Sequence, residues 1–134
     1  MKLRRAPLRL ATGAYILNSG VSKWNADGEQ TSGLHGFASG AYPQVKQVRP
    51  EHFTRGLSAT EMALGAALLT PFVSSKLVGL ALSAFSVGLV GLYLRTPGMR
   101  RDGSVRPTQD GTALAKDTWL LGIGLSLLID AIGD

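Results

Sequence analysis

Leu77–Leu94 reads LVGLALSAFSVGLVGLYL, eighteen residues without a charged side chain, bracketed by Lys76 and Arg95. As a helix rising ~1.5 Å per residue it spans about 27 Å, close to the ~30 Å hydrocarbon thickness of a bilayer. Its polar groups are Ser83, Ser86 and Tyr93, too few to form the polar face of a surface helix. The segment must therefore be covered on all sides, by protein or by lipid. A chain of 134 residues is too small to wrap it in a soluble core, so the run predicts a transmembrane helix.

Three further apolar segments lie around it, at about 8–24, 57–74 and 117–132. With 77–94 they predict an all-α membrane protein, a four-transmembrane-helix antiparallel bundle forming a single domain over 1–134. Only Ser75 and Lys76 separate the second segment from the third, which forces a hairpin. Pro71 should kink or end the second helix, since proline lacks the N–H of the helical ladder. Small residues recur four apart at Ala63/Ala67, Gly79/Ser83, Ala84/Gly88 and Gly122/Ser126, the pattern that lets membrane helices approach closely.

The first loop, 25–55, is too long for a simple connector. Within it GLHGFASGAYP sets Leu34, Phe37, Ala38 and Tyr42 at helical spacing, bounded by Pro43 and Pro50. An interfacial helix on the membrane surface fits that pattern. The second loop, 96–116, is polar, with proline, glycine and charges of both signs, and reads as a solvated connection.

Composition removes several function classes. The chain has no cysteine, which excludes disulfides, thiol redox chemistry and Cys-ligated zinc or iron–sulfur sites. The net charge of +5 sits at the edges of apolar segments, where basic side chains anchor to lipid headgroups. No basic patch interleaved with aromatics suggests nucleic acid. His35 and His52 both fall in the first loop and lack metal-ligand spacing, so no metal site is expected. Although the N-terminus has a basic start and a short apolar stretch, it lacks a convincing cleavage site and reads as a retained first helix.

Antiparallel threading places charges at common depths. Lys23, Glu61 and Asp117 share one membrane face, together with Arg95. Glu61 lies about 6 Å inside its helix, where a carboxylate needs a partner, and Lys23 is the natural one. At the opposite face Arg9 could pair with Asp130. The plain reading is ion pairs that lock the bundle; the sharper one is a polar or proton pathway around Glu61. Trp24, Tyr42, Tyr93 and Trp119 gather on the Lys23 face. An interfacial aromatic belt explains them, while Trp24, Tyr93 and Trp119 could also contact a quinone head group beside the Lys–Glu pair.

The chain resembles the DoxX family of small bacterial membrane proteins. The resemblance is carried by Arg9-Leu10, by Gly20-Val21-Ser22-Lys23, by Glu61-Met62-Ala63-Leu64-Gly65, and by Lys116-Asp117 leading into Leu120-Leu121-Gly122. The chain departs from the family after the second helix, with Thr70-Pro71 and Lys76 in place of glycine and an arginine. The resemblance implies a multi-pass protein of the bacterial inner membrane, associated with respiratory or redox complexes. It carries no catalytic residues over. The expectation is a small membrane subunit or scaffold of such a complex, in contact with lipid, partner subunits or a second copy, and not an enzyme on its own. A small proton-coupled transporter or exporter using Glu61 is the alternative.

Orientation stays open between two counts. Lys2, Arg4, Arg5 and Arg9 precede the first helix and only Lys23 ends it, favouring cytoplasmic termini. The two long loops together with the helix ends Lys23 and Arg95, however, carry nine Lys/Arg against five on the terminal face, favouring the reverse.

Overall fold

Prolines and caps decide where the helices start and stop. The computed structural model describes residues 2–25, 27–95 and 117–133. A 3-10 turn, Leu3–Arg5, leads into α1 (Ala6–Trp24), which carries Pro7 in its first turn. Helix α2 (Gly28–Ala41) opens on a reciprocal cap. The Gln30 N–H donates to Asp27 Oδ1 at 2.8 Å, and the Asp27 N–H to Gln30 Oε1 at 3.2 Å. A 3-10 helix, Pro43–Gln47, follows; then come α3 (Pro50–Leu69), α4 (Ser75–Arg95) and α5 (Asp117–Ile132). Among the described residues there are five α-helices and no strand.

The segment 25–55 is thus mostly helical and not a loop. Asp27 and Gln30 form a capping box that nucleates α2. Pro50 opens α3 as a first-turn proline, where the missing N–H costs nothing. Helix α3 accordingly begins seven residues before the expected 57. It ends at Leu69, because Pro71 pushes Thr70 out of the helical region, to ψ 116°. Residues 70–74 form the corner into α4. The loop 96–116 lies outside the described residues.

Two tight antiparallel pairs make the bundle, α1 with α3 and α4 with α5, and the pairs meet each other more sparsely. Glycines set the close approach. A Cβ on Gly65 would lie 2.6 Å from Leu17 N and 2.8 Å from Gly13 O; one on Gly20 would lie 2.8 Å from Met62 N. In the second pair, a Cβ on Gly124 would meet Ser83 N at 2.8 Å and one on Gly79 would meet Leu128 N at 2.8 Å. The first seam therefore uses Gly13, Gly20, Ser58 and Gly65, with small residues seven apart on each helix. Of the pairs expected from four-residue spacing, Gly79/Ser83 lies in a seam. Ala63, Ala84, Gly88, Gly122 and Ser126 are exposed. Between the pairs lies an apolar core of Ile16, Leu64, Leu68, Val78, Leu82 and Leu127.

Large apolar side chains also lie on the outer faces of α4 and α5. On α4, Ser83, Ser86 and Tyr93 are buried while Leu77, Leu80, Val87 and Leu94 face outward. The two serines satisfy themselves by donating to carbonyls one turn back, Ser83 to Gly79 O and Ser86 to Leu82 O, each at 2.7 Å. Trp119, Ile129 and Ile132 of α5 are exposed as well, whereas Arg9 of α1 and Glu61 of α3 are buried. Helix α4 is long and apolar enough to cross a membrane, and only 33% of its most apolar window is covered by protein. A core helix of a soluble protein would be mostly covered. Among the described residues α4 alone meets that length and hydropathy. Helices α1 and α3 carry charges, and α5 has 16 residues.

Candidate functional site

The α1–α3 glycine seam brings one end of α1 close enough for its last turn to reach α3. Ser58 Oγ donates to Gly20 O at 2.6 Å, fixing the crossing. One turn further on, Lys23 Nζ lies 3.0 Å from Glu61 Oε1 and 3.1 Å from Oε2, and donates to Ser19 Oγ at 2.7 Å. Glu61 is 5% exposed. Its charge is therefore compensated by the ammonium and not by water.

This pair borders an open-sided cavity of about 680 Å³ lined by α1, α2, α3, α4 and the start of α5. Its wall is apolar, with rings from Tyr15, Phe37, Tyr42, Phe53 and Phe85, and its polar groups include Ser19, Lys23, Glu61 and Asp117. Asp117 opens α5, where the positive end of the helix dipole favours a carboxylate. Among the described residues, no hydrogen bond or ion pair within 4.0 Å reaches that carboxylate.

Helix α2 and the 3-10 helix after it close one side of the cavity. Tyr42 Oη donates to Gly88 O at 2.7 Å, and the Arg95 guanidinium lies 5.1 Å from the Tyr42 ring. A Cβ at Gly91 would collide with the Tyr42 hydroxyl, so glycine makes the niche that receives it. His35 Nε2 faces the Val45 and Val48 carbonyl oxygens at 2.9 and 2.7 Å, and its ring meets Phe53 edge-on. Behind Lys23 lies a second, polar cavity of about 500 Å³ that Lys23 also lines, with Asp27, Glu51, His52, Thr54 and Arg55. Thr54 Oγ1 is buried there without a partner among the described residues, so a water in that cavity would satisfy it.

The structure thus brings Lys23 and Glu61 together, with Asp117 beside the same cavity. It does not join Arg9 to Asp130. Asp130 pairs with Arg4 at 3.0 Å and with Arg5. The buried Arg9 guanidinium instead donates to Leu68 O (2.9 Å), Ala67 O (2.9 Å), Thr70 O (2.8 Å), Val73 O (2.8 Å) and Ser75 Oγ (3.0 Å). Five N–H groups meet five oxygens, and the carbonyls at the α3 C-terminus, the negative end of its dipole, take the place of a carboxylate.

The expected aromatic contacts are also reassigned. Trp24 lines the polar cavity beneath Arg55, 4.8 Å from the guanidinium; Trp119 is 69% exposed; Tyr93 is buried on α4 away from the cavity. All three share the depth of Lys23, but their azimuth around each helix points them elsewhere. The rings that do line the cavity leave a trace in the sequence. Tyr15-Ser19-Lys23 and Phe53-Leu57-Glu61 each run four residues apart and end on a charge. Among the described residues, no group of three or more His, Asp or Glu could hold a metal ion. No family model, no curated protein and no solved structure matches this chain, so the likeness to DoxX proteins rests on the residues quoted for it.

Proposed function

We propose that the chain is a DoxX-like membrane protein, with α1, α3, α4 and α5 crossing the bilayer and α2 at its surface. Its cavity binds a hydrophobic molecule with a polar head group. The protein serves as a small membrane subunit or scaffold of a redox-associated complex and carries out no reaction alone. The observation that carries this reading is the apolar cavity ending on the Lys23–Glu61 pair and Asp117. Its volume falls within the ~300–1,000 Å³ of pockets that enclose small molecules. The outward apolar faces of α1, α4 and α5 support placement in lipid, and a quinone is one ligand with the required build.

Equilibrium dialysis of a short-chain benzoquinone against the protein in lipid nanodiscs tests the binding. Ala84→Trp, which fills the cavity, should abolish uptake; Trp119→Ala, on the outer surface, should leave it intact. Equal uptake by wild type and Ala84→Trp would remove the cavity from the reading. Pull-down in mild detergent should recover redox subunits.

One observation favours a second reading, a proton-coupled transporter. Lys23 lines both the apolar and the polar cavity, so the Lys23–Glu61 pair stands where a proton would pass between them. Substrate-dependent proton release that disappears in Glu61→Gln would select that reading.

A further inference from the structure

The charges bordering the apolar cavity do not balance. Glu61 takes up the Lys23 ammonium at 3.0 Å, and both of its oxygens are engaged with that one cation. Asp117 lines the same cavity with no bonded partner among the described residues. One ammonium thus faces two carboxylates. Beyond the positive end of the α5 dipole and the Lys23 ammonium it shares with Glu61, the described wall offers Asp117 no further charge, since it is built from aliphatic and aromatic side chains with hydroxyls at Ser19, Tyr15 and Tyr42. Among the described residues, the Arg55 guanidinium lies over the Trp24 ring and that of Arg95 over the Tyr42 ring. An ionised carboxylate beside an apolar space is stabilised by a cation that enters that space. Aromatic walls reinforce the preference, because ring faces attract cations most strongly when water is excluded.

We infer that the cavity selects lipophilic cations, molecules with an apolar aromatic or alkyl body and one permanent positive charge set against Asp117. The inference rests on the proposed cavity-binding function and narrows its ligand class. Lys23 holds both oxygens of Glu61, which leaves Asp117 as the carboxylate with room for a second cation. Phe37, Phe53 and Phe85 then flank the ligand body.

The test compares two probes of similar shape on the full chain in lipid nanodiscs, cationic tetraphenylphosphonium and neutral triphenylphosphine oxide. Tetraphenylphosphonium should bind about tenfold or more tightly than the oxide, the scale of one desolvated charge contact. Asp117→Asn, which keeps the shape of the side chain, should remove that advantage while binding of the oxide stays unchanged. Asp117→Glu should restore the preference, and circular dichroism should confirm helix content in each variant. Equal binding of the two probes by wild type, or a tetraphenylphosphonium affinity indifferent to Asp117→Asn, would overturn the inference. If the oxide and the short-chain benzoquinone bind while tetraphenylphosphonium does not, the cavity function stands and its cation preference falls. If none of the three binds, both fall.

Discussion

Removing Lys23 tests whether the bundle depends on its ion pair. The ammonium lies 3.0 Å from Glu61 Oε1, a separation worth about 5 kcal/mol of Coulomb attraction at an effective dielectric of ~20 and about 1 kcal/mol in water. Desolvation offsets much of that gain, but stranding one buried partner costs roughly 3–5 kcal/mol. The two sides are not equivalent. The Glu61 side chain is 6% exposed and that of Lys23 22%, and Lys23 keeps Ser19 Oγ at 2.7 Å when Glu61 is neutralised. Lys23→Met should therefore lower the unfolding free energy by about 3 kcal/mol, and Glu61→Gln by only about 1–2 kcal/mol. The double variant strands no charge, so it should lose less than the sum, with a coupling of about 2 kcal/mol. Reversible unfolding in mixed detergent micelles, followed by circular dichroism, reads all four corners of the cycle. Losses that add to within about 0.5 kcal/mol would refute the pair as a structural bond.

Other consequences can be checked on the same assay. Gly65→Ala puts a methyl 2.6 Å from the Leu17 backbone and should cost about 1–3 kcal/mol as α1 and α3 are forced apart. Gly122→Ala, with nothing within 4 Å, should instead gain up to about 1 kcal/mol from helix propensity. Arg9→Lys offers three donors to five oxygens and should lose about 2 kcal/mol or more. Arg4→Lys, on a side chain 54% exposed, should stay within about 1 kcal/mol. Tyr42→Phe removes the bond to Gly88 O, and hydrogen exchange should then quicken in α2 but not in α3.

Depth within the bundle could be counted along the chain, whereas azimuth could not. Counting residues in antiparallel helices sets Lys23, Glu61 and Asp117 at one level, and the first two meet. The same count sets Trp24, Tyr93 and Trp119 at that level but is silent on which way each points. That depends on which side of each helix carries the seam. The seam of α1 with α3 lay hidden because its small residues, Gly13/Gly20 and Ser58/Gly65, repeat every seven residues and not every four. Opposite charge alone suggests Asp130 as the partner of Arg9, but five oxygens at and just beyond the α3 end satisfy the guanidinium instead. Pro50 can bound a helix on either side, and here it opens α3 from the first turn. In α2 the Asp27–Gln30 capping box is followed by glycines, which lower helix propensity and mask the signal.

The Arg9 cluster makes the molecule a lever. One side chain of α1 grips the end of α3 and the corner into α4, so at that level the two helix pairs cannot separate without breaking several bonds together. Lys23 lies fourteen residues further along α1, about 21 Å at ~1.5 Å per residue. A rotation of about 10° around the Arg9 fulcrum moves the far end by about 4 Å, a displacement within the usual range of hinge motions. The cavity bordered by Lys23, Glu61 and Asp117 is at that far end, so any widening is concentrated there.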